Sequence, residues 1–193
     1  MPGPILGGMH CELCAIDINR APQARFCGDD CRDLYHRLSR SIPEDLRVLN
    51  RWVRYSETKV PLTVDGRPAS STDSSTWVSY RRAVAAARVG VGIGFVLNGD
   101  GIVCVDLDRC IHRDGRIAPW AVQIIRELGP TWVENSPSGQ GLHIWGRGFV
   151  ERGRRQGRIE VYGTGRYMTV TGKRVRNMPV ALGELGDVAR ILG

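Results

Sequence analysis

An α+β fold with a small cysteine-rich module ahead of it is what this sequence predicts, and three observations carry that expectation. Apolar runs with strand-like alternation are interleaved with amphipathic stretches of helical period from about residue 41 onward. Cys11, Cys14, Cys27 and Cys31 form the pattern C-x2-C-x12-C-x3-C. The length of 193 residues suffices for one substantial core and a small accessory unit. The expected division is a four-cysteine zinc-binding module over residues 9–38 and a larger domain over 41–193.

Two closely spaced cysteine pairs, about a dozen residues apart, can fold back to set four thiolates around Zn²⁺. The intervening "AIDINRAPQAR" has no core of its own, so a module this short needs a metal to stay folded. His10 and His36 are spare ligands if one cysteine is unused, and Cys104 and Cys110 read as core or surface thiols. "FCGDDCRDLYHRL" reads as a knuckle entering a helix: Gly28 permits the turn, Asp29 and Asp30 cap it, and Leu34 and Leu38 form an apolar stripe. This stretch resembles treble-clef zinc fingers, and the likeness is confined to residues 9–38.

The later elements follow in order. "SIPEDLRVLNRW" predicts a helix with Ser41 as N-cap. "RWVRYSETKVPLTVDGRPAS" predicts strand, loop and strand, turning at Asp65–Gly66. A helix is expected from about Ser75 to Arg88, followed by two strands joined as a hairpin by Asn98-Gly99-Asp100-Gly101. "APWAVQIIRELG" predicts an amphipathic helix ending at Gly129. "TWVENSPSGQGLHIWGRG" predicts strand, glycine loop and strand, and "RIEVYGTGRYMTVTGK" two strands turning at Gly163 to Gly165. "ALGELGDVARILG" is expected to close the chain as a helix.

No apolar stretch approaches the length of a membrane span, and the N-terminal residues lack the pattern of a secretory leader, so the expected location is the cytoplasm. A formal net charge of +7 favours polyanionic partners without proving one. Residues 147–158, "RGFVERGRRQGR", hold five arginines and one glutamate, either a solvated basic loop or a phosphate-tracking patch.

Three motifs suggest chemistry. In "IVCVDLDRC", alternation sends Asp106 and Asp108 to one face, roughly 6–7 Å apart at Cα. Such a pair can grip divalent cations that also relieve its repulsion, or can end a strand in a solvated turn. In "SPSGQGLHIW", Gly139 and Gly141 let backbone amides converge on an anion, Ser138 adds a hydroxyl, and His143 begins the next strand. In "RIEVYG", Glu160 faces opposite to Ile159 and Val161 and can join the aspartates or face solvent.

Taken together, "VGIGFVLNGDGIVCVDLD", "ENSPSGQGLHIWGRG" and "IEVYGTGRYMTVTG" resemble the archaeo-eukaryotic primase superfamily, most of all the primase-polymerase domains of phage and plasmid replication proteins. The resemblance runs over about residues 45–175. It implies an RRM-like catalytic sheet beside a smaller α/β unit. It implies that Asp106, Asp108 and Glu160 bind catalytic Mg²⁺ or Mn²⁺ and that Ser138 and His143 bind the phosphates of an incoming NTP or dNTP, where the amides of the Gly139–Gly141 loop can join them. The implied activity is that of a DNA primase and DNA polymerase, a nucleotidyltransferase working on a single-stranded DNA template, with a separate helicase as a conceivable partner. Arg166, Lys173 and, more weakly, Lys59 are candidate phosphate or template contacts, although solvated surface is the plainer reading of each. Trp52, Trp77, Trp132 and Tyr55 could stack on bases, with core packing the plainer reading. The alternative is a non-catalytic, zinc-finger nucleic-acid-binding protein that recognises an origin on a primase fold. A two-metal nuclease is a further rival, and it leaves the S-G-x-G-x-H loop without a purpose.

Overall fold

The computed structural model describes residues 11, 16–18, 24–87 and 92–192. Helix α1 (Asp29–Ser41) and the single turn α2 (Glu44–Arg47) lead into strands β1 (Trp52–Tyr55) and β2 (Pro61–Leu62). Helix α3 (Tyr80–Ala86), strands β3 (Gly92–Asn98) and β4 (Ile102–Leu107), and helix α4 (Pro119–Leu128) follow. Strands β5 (Trp132–Asn135), β6 (Leu142–Phe149), β7 (Arg154–Gln156), β8 (Ile159–Tyr162), β9 (Thr164–Val170) and β10 (Gly183–Asp187) complete the order. A 3-10 turn over Val188–Leu192 ends the described chain.

The strands form two sheets. One has the order β2-β1-β3-β9; the other is six-stranded, β10-β6-β4-β8-β7, with β5 also paired to β6. Every pairing is antiparallel except β10 with β6. Alternation along the strands sorts the two faces of the six-stranded sheet. Val103, Val105, Leu107, Ile144 and Val161 turn to one side and pack on α4 through Ala121, Ile124, Ile125 and Leu128. Cys104, Trp132 and Trp145 turn to the other side and share an apolar layer with Trp52, Phe95 and Met168 of the four-stranded sheet. Aromatic rings bridge this layer, Phe95 meeting Trp145 at 6.0 Å and Trp52 at 5.2 Å. Mixed α/β architecture with antiparallel sheets is therefore present.

The four-residue turn Asn98-Gly99-Asp100-Gly101 does not close a hairpin: β3 and β4 lie in different sheets. A register shift at Leu97/Asn98 releases the chain from β9, and Gly99 (φ +87°) and Gly101 (φ +92°) take backbone angles closed to most side chains. Arg51, almost fully buried, braces this crossing with hydrogen bonds to Asn98 and Asp100 and a 2.7 Å ion pair to Asp100. Gly163 is a second crossing, because β8 and β9 also belong to different sheets. The two crossings touch, Gly99 N–H donating to the Gly163 carbonyl at 2.9 Å.

Three helix expectations shift as well. Ser41 ends α1 and does not cap α2, whose N-cap is Pro43 with no side-chain bond. Residues 74–76 form a separate 3-10 turn, and α3 starts only at Tyr80, capped by Ser79. "GELGD" is a strand, because glycines on both sides allow a close approach to β6 that a helix would waste: a Cβ on Gly148 of β6 would lie 2.3 Å from the Gly186 carbonyl oxygen, and one on Gly146 of β6 would lie 2.8 Å from that of Gly183. By contrast, α4 ends at Gly129 as its pattern predicts. Leu34 and Leu38 lie outside the described side chains. Among the described residues, no helix is long and apolar enough to cross a membrane.

Candidate active site

Strand β4 is central in its sheet, and Asp106 sits opposite a partner on both sides. It pairs with His143 of β6 and with Glu160 of β8. His143 in turn lies opposite Glu134 of β5, and Glu160 opposite Arg155 of β7. Residues directly opposite in an antiparallel sheet project to the same face. Five strands thus contribute one continuous polar row: Glu134, His143, Asp106, Glu160, Arg155.

The row is unevenly satisfied. Glu134 is fully buried and accepts from Trp145 Nε1 at 3.3 Å, from the Thr171 amide and hydroxyl at 2.9 Å each, and from the Gly172 amide at 2.7 Å. His143 Nδ1 lies 3.4 Å from Glu134 Oε1. A carboxylate only accepts, so this contact assigns the proton to Nδ1 and directs Nε2 toward Asp106, 3.8 Å away. Burial alone would depress the imidazolium, but the Glu134 hydrogen bond and the Glu134 and Asp106 charges outweigh it and raise the pKa above its ordinary value. Glu160 is held from both sides, by Arg155 Nη1 at 3.0 Å and the Tyr162 hydroxyl at 2.5 Å. Burial and that carboxylate push the Tyr162 phenol up to about 12.

Asp106 has no such support. Its Oδ1 is buried without a hydrogen-bond donor. Burial raises its carboxyl above the ordinary value, and the Asp108 and Glu160 charges add to this against the opposing pull of His143 and Lys59. A half-buried carboxylate with an unmatched oxygen, beside a second acid, is a donor set suited to a hard divalent cation.

Asp106, Asp108, Ser136, Ser138 and His143 open onto one polar cleft of about 440 Å³, whose facing wall includes Lys59, Ser71 and residues 165–169 of β9. The β5–β6 turn crowds this floor. A Cβ on Gly141 would lie 2.7 Å from the Leu107 carbonyl oxygen and 3.0 Å from Ser136 Oγ, so glycine lets the turn close over the end of β4. Gly139 (φ +71°) donates its amide to Ser136 O at 2.9 Å, and Gln140 donates to Ser138 Oγ at 3.2 Å. Those two amides are engaged within the turn. It is the hydroxyls of Ser136 and Ser138, 3.0 Å apart, that border the cleft.

No family model matches the chain. Over 134 aligned residues it is 37% identical to the DNA primase-polymerase of Nitratiruptor phage NrS-1. The chain is a homologue of a phage primase-polymerase. The alignment covers 63% of this chain and only 18% of the phage protein, so the chain spans less than a fifth of its relative's length.

The residues expected from the sequence divide as follows. Asp106, Asp108, Ser138, His143 and Arg166 meet at the cleft; Glu160 stands beside Asp106 but is engaged by Arg155 and Tyr162. Arg166 also lies over the Tyr162 ring, at 4.7 Å. Lys173 lies elsewhere, lining an apolar hollow of about 310 Å³ with Tyr55 and Val170. Lys59 borders the cleft at φ 60°, rare for a residue with a side chain, and its carbonyl accepts from the Tyr167 hydroxyl. Trp52 and Trp132 are wholly buried, and Trp77 donates to the Ser70 carbonyl at 2.6 Å. Cys104 is core, its thiol pushed well above the ordinary value by burial, then by Asp106 and Glu134.

Glu134 and Ser136 are the residues that the motifs did not single out. A lone acid in "WVEN" carries no local signal, and its role shows only once β5 lies against β6.

At the N-terminal end, the Cys11, Cys27 and Cys31 sulfurs lie within 4.8 Å of one another. Cys14 and His10 lie outside the described residues. His36 sits against the rings of Phe26 and Tyr35, apart from the thiols.

Proposed function

We propose that this chain is a primase-polymerase domain that makes and extends primers on single-stranded DNA, in the manner of phage or plasmid replication. The observation that carries the reading is Asp106: a half-buried carboxylate with an unmatched oxygen, in one cleft with Asp108, His143 and two serine hydroxyls. Asp106 and Asp108 would hold Mg²⁺ or Mn²⁺, with Glu160 joining once its present partners release it. The bound cations would lower the pKa of a primer 3′-hydroxyl and neutralise charge on the departing pyrophosphate.

The chain's own groups supply positioning. The hydroxyls of Ser136 and Ser138 and His143 Nε2–H face the cleft as donors for the triphosphate, a task that favours an imidazolium. Lys59 and Arg166 add positive charge on the facing wall. With the nucleotide so held, the primer 3′-hydroxyl would give up its proton to solvent and its oxygen would bond to the α-phosphorus as the α–β P–O bond breaks and pyrophosphate leaves, a reaction that asks for alignment and charge stabilisation. The six-stranded sheet, bearing Asp106 and Glu160 with Asp108 just past the end of β4, is the catalytic sheet in this reading, and residues 41–193 are the catalytic domain.

The sulfur cluster supports a zinc site made by Cys11, Cys27 and Cys31, with Cys14 as fourth ligand by its spacing. Its placement ahead of a catalytic sheet suits a template or initiating-nucleotide grip.

The test is primer synthesis and extension with labelled NTPs or dNTPs on single-stranded template, in Mg²⁺ and in Mn²⁺. Product is expected from the native chain and none from Asp106→Ala/Asp108→Ala. No product with either metal, or equal product from the double variant, would sink the reading.

A further inference from the structure

Arg155 stands at the end of the polar row, on the strand that closes one side of the six-stranded sheet. Residues 151–158 are all exposed, and among the described residues β7 pairs only with β8. Among those residues, too, Arg154 and Arg158 make no side-chain hydrogen bond or ion pair, whereas Arg67, Arg116 and Arg147 each pair with an aspartate within 2.7 Å. Arg158 also abuts the acids, its carbonyl accepting from the Asp108 amide at 2.8 Å. Arg155 alone on this strand has a carboxylate, and it is Glu160.

The geometry points to β7 and the turn that follows it as the edge that grips the sugar-phosphate backbone of a nucleic-acid strand, through Arg154 and Arg155 on the strand and Arg158 in the turn. In doing so the strand's phosphate takes Arg155 from Glu160. Three considerations lead there. An unpaired edge with arginines on both faces offers guanidinium donors and free backbone N–H groups together, which suits a run of phosphates better than a single anion. The serine turn lies on the other side of Asp106, across β6, while Arg155 lies two strands away across β8, roughly 10 Å at the usual strand spacing. Triphosphate and strand are thereby assigned opposite flanks of the acids, as an in-line transfer between them requires. Finally, the Arg155–Glu160 pair is an exchangeable contact: a phosphate and a carboxylate compete for one guanidinium, so strand binding frees an acid beside Asp106.

The inference rests on the nucleotidyl-transfer reading for the identity of the strand, but its test needs neither catalysis nor the catalytic cations. Binding of a labelled 20-nucleotide oligothymidylate is measured without added Mg²⁺ or Mn²⁺, the zinc left in place, by fluorescence anisotropy over a range of salt concentrations. Arg154→Ala/Arg158→Ala is expected to weaken binding by about 5- to 20-fold and to lower the salt slope by about 1.4, two contacts at about 0.7 each. Neither side chain has a partner to lose among the described residues, so the fold stays intact.

Glu160→Gln is expected to tighten binding about 3- to 10-fold by releasing Arg155, and Arg155→Gln/Glu160→Gln to cancel that gain. Unchanged affinity and slope in the first variant would overturn the proposal. So would a Glu160→Gln gain that survives the loss of Arg155, since bulk charge would then explain it. Equal competition by millimolar dTTP would reassign the edge to the incoming nucleotide. A failed primer assay leaves these binding outcomes untouched, and failed binding leaves the primer assay to decide activity.

Discussion

Asp106 is placed where a carboxylate costs the fold stability. Its pKa is raised from the ordinary 3.8, so the folded chain holds that proton more tightly than the unfolded one. The penalty is therefore full above the raised value, shrinks as pH falls through it, and is gone below the ordinary carboxylate value. In metal-free buffer, Asp106→Asn is expected to raise unfolding free energy at pH 7 by about 0.5–2 kcal/mol, with the gain fading toward pH 4. Denaturant titrations at several pH values check this. Glu134 is the opposite case, a buried carboxylate whose oxygens are fully used. Glu134→Ala strands the Thr171 and Gly172 amides and unseats His143. It is expected to cost about 3–5 kcal/mol, read by urea unfolding, with a smaller loss for Glu134→Gln, which keeps one acceptor oxygen.

At the scale of elements, the reach of sequence reasoning depended on whether a signal was local. The α4 boundary at Gly129 and the β5–turn–β6 unit were legible because caps, turns and apolar period lie within a dozen residues of one another. Asn98–Gly101 misled because a glycine turn specifies a reversal without specifying which sheet receives the next strand. Likewise "ALGELGDVARILG" has helix-like spacing, but Gly183 and Gly186 serve a contact with β6 some 40 residues earlier. The candidate site was half legible: alternation put Asp106 beside a strand face, whereas Glu134 and Arg155 join the row only through cross-strand register. The β6–β10 contact carries its own prediction. Gly148→Ala would drive a methyl against the Gly186 carbonyl and is expected to destabilise by about 1–3 kcal/mol in a urea titration.

Across the whole molecule, the cysteine knuckle and the sheets are not separate bodies of apolar contact. Cys11, Ile18 and Cys31 share a cluster with Ile42, Leu46, Trp52 and Phe95, and Arg81 of α3 donates to the Cys11 carbonyl at 2.7 Å. Loss of metal is thus expected to be felt well beyond the knuckle. Native protein should hold about one zinc per chain by elemental analysis, and Cys27→Ser should lose it. Chelation should lower the melting temperature of the whole chain in a single transition, at about 2–4 °C per kcal/mol for this length.

The position of β4 has a consequence in time. This strand lies between β6 and β8, yet both of its neighbours come later in the chain. A ribosome delivers Asp106 first, His143 next and Glu160 after that, and the β9 wall of the cleft only by residue 170. During synthesis, the acids therefore remain scattered along an unfinished sheet, and the polar row that joins Asp106 to Glu160 forms only once β8 has emerged. A nascent or truncated product ending before β8 carries the aspartates without the assembled row, so Asp106 meets Glu160 only when the sheet around it is closed.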